Sequence, residues 1–529
     1  MRKLDRPGRS PVHAMNGMAC TSQPLATDAA IEILKAGGNA MDAAIAACAM
    51  QCVVEPQSTS IGGDCFAMYA EGGAGNPVAF NGSGRAPAAA TLEALLEIGV
   101  ESLERSSAHS VIVPGAVDAW FQLHSAHGRM PMSELLQPAI KTARSGFPVS
   151  SRVHTDFAAQ VDYLQQFERT ARIYLENNAA PAVGSVLRLP ELADALEQIA
   201  LNGHDAFYKG ELAAGMVDEL QSRGGLHTME DFANVRGNFV KPISSTYQGR
   251  TVFECPPNGQ GMIALLLLNM FECLPDSDDV LSADRIHLEL EACRLAYAVR
   301  NQHLADIDQA DVPVETILSK SYAKQLVDQI DPQRATIPAT PVPVVEHKDT
   351  VYIAVVDKDR NVCSFINTLF FSFGSGITSR HGITLTNRGQ GFTLEAGHPN
   401  CIAPNKRPLH TIIPAMAARD GQIELCFGVM GGEYQAMGHA QFLQRYWQRG
   451  CDIQEAMDIA RTMVDPYTHD VELESGIETR TRQALESKGH TLAQDFPPIG
   501  GSQAIAIDWS AGTLTGGSDP RKDGCAIGY

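Results

Sequence analysis

Apolar residues recur at helical spacing from Leu25 to Ala36, Gly37-Gly38-Asn39 interrupts the pattern, and a second apolar helix follows from Ala40 to Val54. Ala43, Ala44, Ala46 and Ala47 make that second helix thin, so it is expected to pack closely against another layer. Short runs at Cys65–Tyr69 and Pro77–Phe80 read as strands, the latter ending in Asn81-Gly82-Ser83-Gly84-Arg85, a glycine-rich loop that sets Arg85 at a strand end. From residue 132 to 330 the pattern is mainly helical, with helices expected over Ser133–Arg144, Leu189–Leu201, Gly210–Arg223, Ala283–Val299 and Val314–Ile330.

Pro332 to Asp349 contains Pro332, Pro338, Pro341 and Pro343 and cannot run as a regular helix, so it reads as an exposed linker. Beyond it the pattern turns to strands. Val351–Asp357 and Val362–Ile366 flank the turn Lys358-Asp359-Arg360-Asn361, and Ile412–Ala418 and Ile423–Gly428 flank Asp420-Gly421, two expected hairpins. Helices are expected next at Gln435–Arg449 and Ile453–Thr462. Strands followed by helices in both halves suggest two sheets between helical layers.

The 529 residues hold 61 acidic and 41 basic side chains, a net charge of −20, which argues against nucleic acid as a partner. Hydrophobic content of 44 % describes a chain with a large core. Met262–Phe271, the longest apolar run, is about half the ~20 residues that cross a bilayer and reads as a core helix, so no membrane contact is expected. Met1 to Ala19 has no continuous apolar stretch, which leads to the expectation of a cytoplasmic protein. The twelve cysteines form no C-x-x-C pair and read as buried reduced thiols.

No nucleophile elbow, H-E-x-x-H, Walker loop or dinucleotide fingerprint is present. The most suggestive position is Thr350, between the proline-rich linker and the first strand of the hairpin. Cleavage of the Asp349–Thr350 bond would make it an N-terminus carrying its own base, since a free α-amine titrates near ~8 and can take the hydroxyl proton. The plainer alternative is a β-branched residue opening a strand.

The second half, with DTVYIAVVDKDRN, GSGIT, NRGQGF, PNKRPLHTIIPA and VMGGEYQ, resembles the γ-glutamyltransferase family in order and spacing. LATDAAIEILKAGGNAMDAAIAA, EPQSTSIGGD, NGSGRAPAAAT, VPGAVDAW, PPNGQG and SDPRKDG extend the resemblance over nearly the whole chain. The resemblance implies a four-layer αββα N-terminal-nucleophile hydrolase of the α/β class, made as a precursor that cuts itself into a large subunit, 1–349, and a small one, 350–529. It implies no metal or organic cofactor, and a heterodimer of the chain's own two pieces, which can pair further as a dimer of heterodimers.

By the same resemblance Thr350 matches the nucleophile, Thr368 the second threonine beside it, and Gly431 and Gly432 the pair whose N–H groups form the oxyanion hole. Arg85 matches an arginine that holds a substrate carboxylate, a role suited to a guanidinium fork. His410 and Thr411 stand where the family has two serines; Thr411 keeps a hydroxyl donor, and His410 is expected as a substrate contact, with a satisfied buried histidine as the alternative. Where transpeptidases grip an α-ammonium with an asparagine, a glutamine or glutamate, and an aspartate, this chain has Phe370, Arg388 and Gly391. An ammonium would there meet a ring, a cation and no carboxylate, so a small anionic amide is expected as substrate, oxamate first and a glutaryl-type amide next. The rivals are a γ-glutamyl transferase acting on glutathione and, more remotely, an unprocessed, non-catalytic binding protein on the same scaffold.

Overall fold

The computed structural model describes residues 8–336 and 350–529. Its helical entry is built by local chemistry. Pro24 opens the helix Pro24–Lys35 beneath a Gln23 side chain that accepts the Leu25 N–H, and Asn39 caps Ala40–Val54 in a reciprocal capping box with Asp42. The two pack as a hairpin on one face of a seven-stranded antiparallel sheet. In spatial order that sheet runs Cys525–Gly528, Met18–Thr21, Val351–Val356, Val362–Thr368, Asp64–Ala70, Val78–Gly82 and Asn238–Val240.

A second seven-stranded antiparallel sheet runs Val12–Ala14, Thr513–Ser518, Gly501–Asp508, Gln422–Met430, Ala415–Arg419, Arg250–Glu254 and Ile243–Tyr247. The strand Val351–Val356 shows how the layers form. Ile353 and Val355 face the alanine-rich helices, while Tyr352, Ala354 and Val356 join Met416, Cys426, Ile505 and Leu514 in the core between the sheets. On the outer face of the second sheet, Ala415, Leu425 and Phe427 pack against Gly261–Cys273, Ala283–His303 and Tyr434–Leu443. The result is the αββα sandwich of N-terminal-nucleophile hydrolases. Among the described residues no helix is long and apolar enough to cross a membrane.

Several expected helices are shorter than their apolar patterns. Val314–Ile330 divides into Val314–Ile317 and Lys320–Val327, because Ser319 caps the second piece through the Tyr322 N–H. Ser133–Arg144 becomes Met132–Leu135 and Gln137–Ser145, where Pro138 opens a new first turn. Ile453–Thr462 stops at Asp458, and Thr462 instead begins a strand that pairs with Val471–Leu473. Gln435–Arg449 is α-helical over Tyr434–Leu443 and continues as one π turn over Gln444–Gln448. Eight of the twelve cysteines are buried, but Cys273 is exposed and Cys401, Cys451 and Cys525 are half-buried, a correction to the uniform burial expected. Asp349 and the linker from residue 337 lie outside the described residues.

Candidate active site

Thr350 is fully buried immediately before Val351–Val356. The register Val351↔Asn367 sets it beside Thr368, the last residue of the partner strand, and their Oγ1 atoms are 3.3 Å apart. Thr368 Oγ1 also accepts the Phe370 N–H at 2.9 Å, which orients its remaining valence. Glycine is needed alongside, since a Cβ on Gly63 would lie 2.1 Å from the Thr368 carbonyl oxygen.

Tyr352 meets the second sheet at Gly428, where a Cβ would come within 2.3 Å of its ring. The beginning of one strand thus meets the end of the other, so Thr350 and the Gly431-Gly432 turn leave the sheets at a common end. Gly431 has φ of 119° and Gly432 of 56°, conformations that favour glycine. The turn is held from behind by Gln260, whose Nε2 donates to the carbonyls of Gly432 at 3.0 Å and Thr411 at 2.9 Å. Gln260 Oε1 in turn accepts from Arg300, which pairs with Glu433.

Past Thr368 the chain turns through Phe370, at φ of 79°, and Arg388 lies over its ring with the guanidinium carbon 3.6 Å from the centroid. Arg388 is fully buried. Its Nη1 donates to Thr411 Oγ1 at 3.3 Å, while Nε and Nη2 have no hydrogen-bond partner among the described residues. Burial pushes the guanidinium down to about 9, with Asp64 as the larger opposing charge.

Asp64, which the motif reading passed over, corrects the expectation that this region lacks a carboxylate. It is fully buried opposite Thr368 in the neighbouring strand, with Oδ2 3.8 Å from Arg388 Nε. Its Oδ1 accepts the Gly84 N–H at 2.8 Å and its Oδ2 the His410 Nε2–H at 3.1 Å. His410 Nδ1 accepts the Ile412 N–H at 3.3 Å, which assigns that tautomer and commits both ring nitrogens to the protein. Burial first, then Arg388, lowers His410 to about 4, so the ring is neutral. The signal for Asp64 was an acid opening an otherwise apolar strand.

Arg85 takes a different position from Arg388. It is partly exposed, donates from Nη1 to the Asn405 carbonyl at 2.9 Å, and faces Asp308 at 3.5 Å and Asp306 at 3.8 Å. Gly391 has no room for the acidic side chain expected in a transpeptidase, because a Cβ there would lie 2.7 Å from the Leu409 carbonyl oxygen. Elsewhere, His287, Glu291 and His490 bring ligand atoms within 4.8 Å of one another. Arg294 contacts both Glu291 and His490, so a guanidinium already engages two of the three groups.

A threonine opening an inner strand of an αββα sandwich, paired with a second threonine at the same sheet end as a glycine turn, fits the class of N-terminal-nucleophile amidohydrolases. The gamma-glutamyltranspeptidase family model matches residues 26–529, and the chain belongs to that family. It is 36 % identical over 521 residues to the glutathione hydrolase-like YwrD proenzyme of Bacillus subtilis, covering 97 % of this chain and 98 % of that one. It is 32 % identical over 533 residues to the oxamate amidohydrolase proenzyme of Klebsiella pneumoniae, with 97 % and 98 % covered. The crystal structure of cephalosporin acylase from Bacillus halodurans superposes with a TM-score of 0.92 at 36 % identity, covering 100 % of this chain and 99 % of that one. The family is one of self-cleaving hydrolases and acylases that act on small amides.

Proposed function

We propose that the chain is a self-processing threonine amidohydrolase for small amides that carry a carboxylate, with oxamate, hydrolysed to oxalate and ammonia, as the leading substrate. Cleavage between Asp349 and Thr350 separates residues 1–349 from 350–529 and frees the Thr350 α-amine. That amine takes the hydroxyl proton as Oγ1 attacks the amide carbonyl, and Thr368 orients the hydroxyl. The N–H groups of Gly431 and Gly432 hold the oxyanion, ammonia leaves, and water releases the acid from the ester on Thr350.

The observation that carries the substrate class is Arg388, a fully buried cation whose Nε and Nη2 have no hydrogen-bond partner among the described residues. A buried donor left unsatisfied costs about 1–3 kcal/mol, more when charged, so a ligand carboxylate is the natural complement. Phe370 and Gly391 offer an α-ammonium no acceptor, and both oxygens of Asp64 are already hydrogen-bonded. This favours oxamate-type substrates over the γ-glutamyl group of glutathione. Side-by-side kcat/KM values for oxamate, a glutaryl amide, glutathione and γ-glutamyl-p-nitroanilide test the reading. It fails if the γ-glutamyl compounds are the best substrates.

A further inference from the structure

Asp64 has no part in the bond-making steps above, yet it lies between Thr368 and Arg388 and is fully buried. One oxygen is held by Gly84 and the other by a neutral His410, so neither contact neutralises its charge. Arg388 is the cation that lies 3.8 Å from it, and Arg407 acts on it as a second. The separation of 3.8 Å matters: a bidentate pair would consume the N–H groups of Arg388, whereas here Nε and Nη2 have no hydrogen bond among the described residues while the opposite charge stays close. The stacking on Phe370 and the bond to Thr411 fix the plane in which those groups are presented.

We propose that Asp64 is a positioning residue that holds Arg388 oriented as the receptor for the substrate carboxylate, and thereby sets affinity for anionic amides. The inference rests on the reading of Arg388 under Proposed function. The groups facing Arg388 are Asp64, His410, Thr411 and, electrostatically, Tyr467, whose hydroxyl donates to Glu433 at 3.0 Å. Arg407 also interacts electrostatically with Asp64 and is itself paired with Asp308. Of these, Asp64 is the larger influence favouring the charged guanidinium, so its neutralisation leaves burial to pull Arg388 down further.

The test compares wild type, D64N, R388Q and the double variant on oxamate and on oxamide, its neutral amide counterpart. Expected for D64N are a KM for oxamate raised about tenfold or more and a kcat reduced less than KM is raised. Oxamide should show no comparable rise in KM. An equal KM rise for both substrates overturns the inference and leaves Asp64 a structural residue. If R388Q does not discriminate between the two substrates, the reading of Arg388 falls and this inference with it. If R388Q abolishes the preference for oxamate while D64N leaves it intact, only the role of Asp64 falls. Should D64N alone fail to mature, the double variant decides: no KM loss beyond that of R388Q supports coupling through Arg388, and a further loss overturns it.

Discussion

Arg388 lies flat against Phe370, its guanidinium carbon 3.6 Å from the ring centroid, in a place fully closed to solvent. These two departures from the transpeptidase pattern therefore act as one unit, since the ring covers a face of the cation that would otherwise need water. Removing either should disturb the other. Arg388→Ala is expected to lower kcat/KM for oxamate by about 100-fold or more, the scale of losing a buried charged contact, and that for oxamide much less. Steady-state kinetics on the two substrates read this directly.

Maturation is expected to yield two chains, the smaller beginning at Thr350. Intact-mass spectrometry of the purified protein checks this, and a fully active single chain contradicts it.

Thr350→Ala should remain an uncut precursor without turnover, because no hydroxyl remains to attack either the peptide or the substrate. Thr350→Ser should retain part of both activities. Denaturing gels and a continuous ammonia assay separate the outcomes, and near-wild-type turnover by the alanine variant would identify another nucleophile.

Gly431→Ala should be costly although it adds one methyl group. The residue has φ of 119°, and the new Cβ would lie 2.7 Å from Gly500 Cα, a backbone atom with little freedom to yield. Strain of about 1–3 kcal/mol is expected, together with displacement of the N–H assigned to the oxyanion and a fall in kcat of about 100-fold. Thermal unfolding and kcat measured on the same sample test both parts.

Acid should destabilise the fold through its buried neutral histidines. Burial lowers His227 and His410 to about 4 and His439 to about 3, against about 6.5 for an unfolded histidine. Between those values the unfolded chain binds more protons, so stability is fully present above pH ~6.5 and is lost as pH falls towards 4 and below. A Tm series from pH 8 to 4 should fall most steeply in the lower part of this range. In His410→Gln the slope should be shallower, since one proton uptake is removed.

The sequence by itself determined the layers, because periodicity and turn chemistry are local. The helix pair at the start and the hairpin after Thr350 were legible from local pattern, whereas Gly431 and Gly432 were legible only through the family motif. The motifs also identified which threonines and glycines to examine. Helix ends were less legible, since a capping serine at 319 or a strand partner at 471–473 outweighs an apolar pattern that still fits a helix. Only the tertiary structure decided the environment of the candidate pocket. Asp64, Arg388 and His410 meet across more than 300 residues of chain because Thr368 pairs with Asp64 in the sheet and the loops that follow fold back over that end. Burial then gives the encounter its chemistry: it neutralises His410, leaves Nε and Nη2 of Arg388 without hydrogen bonds among the described residues and sets a carboxylate beside them, and no local pattern records how much water a side chain will lose.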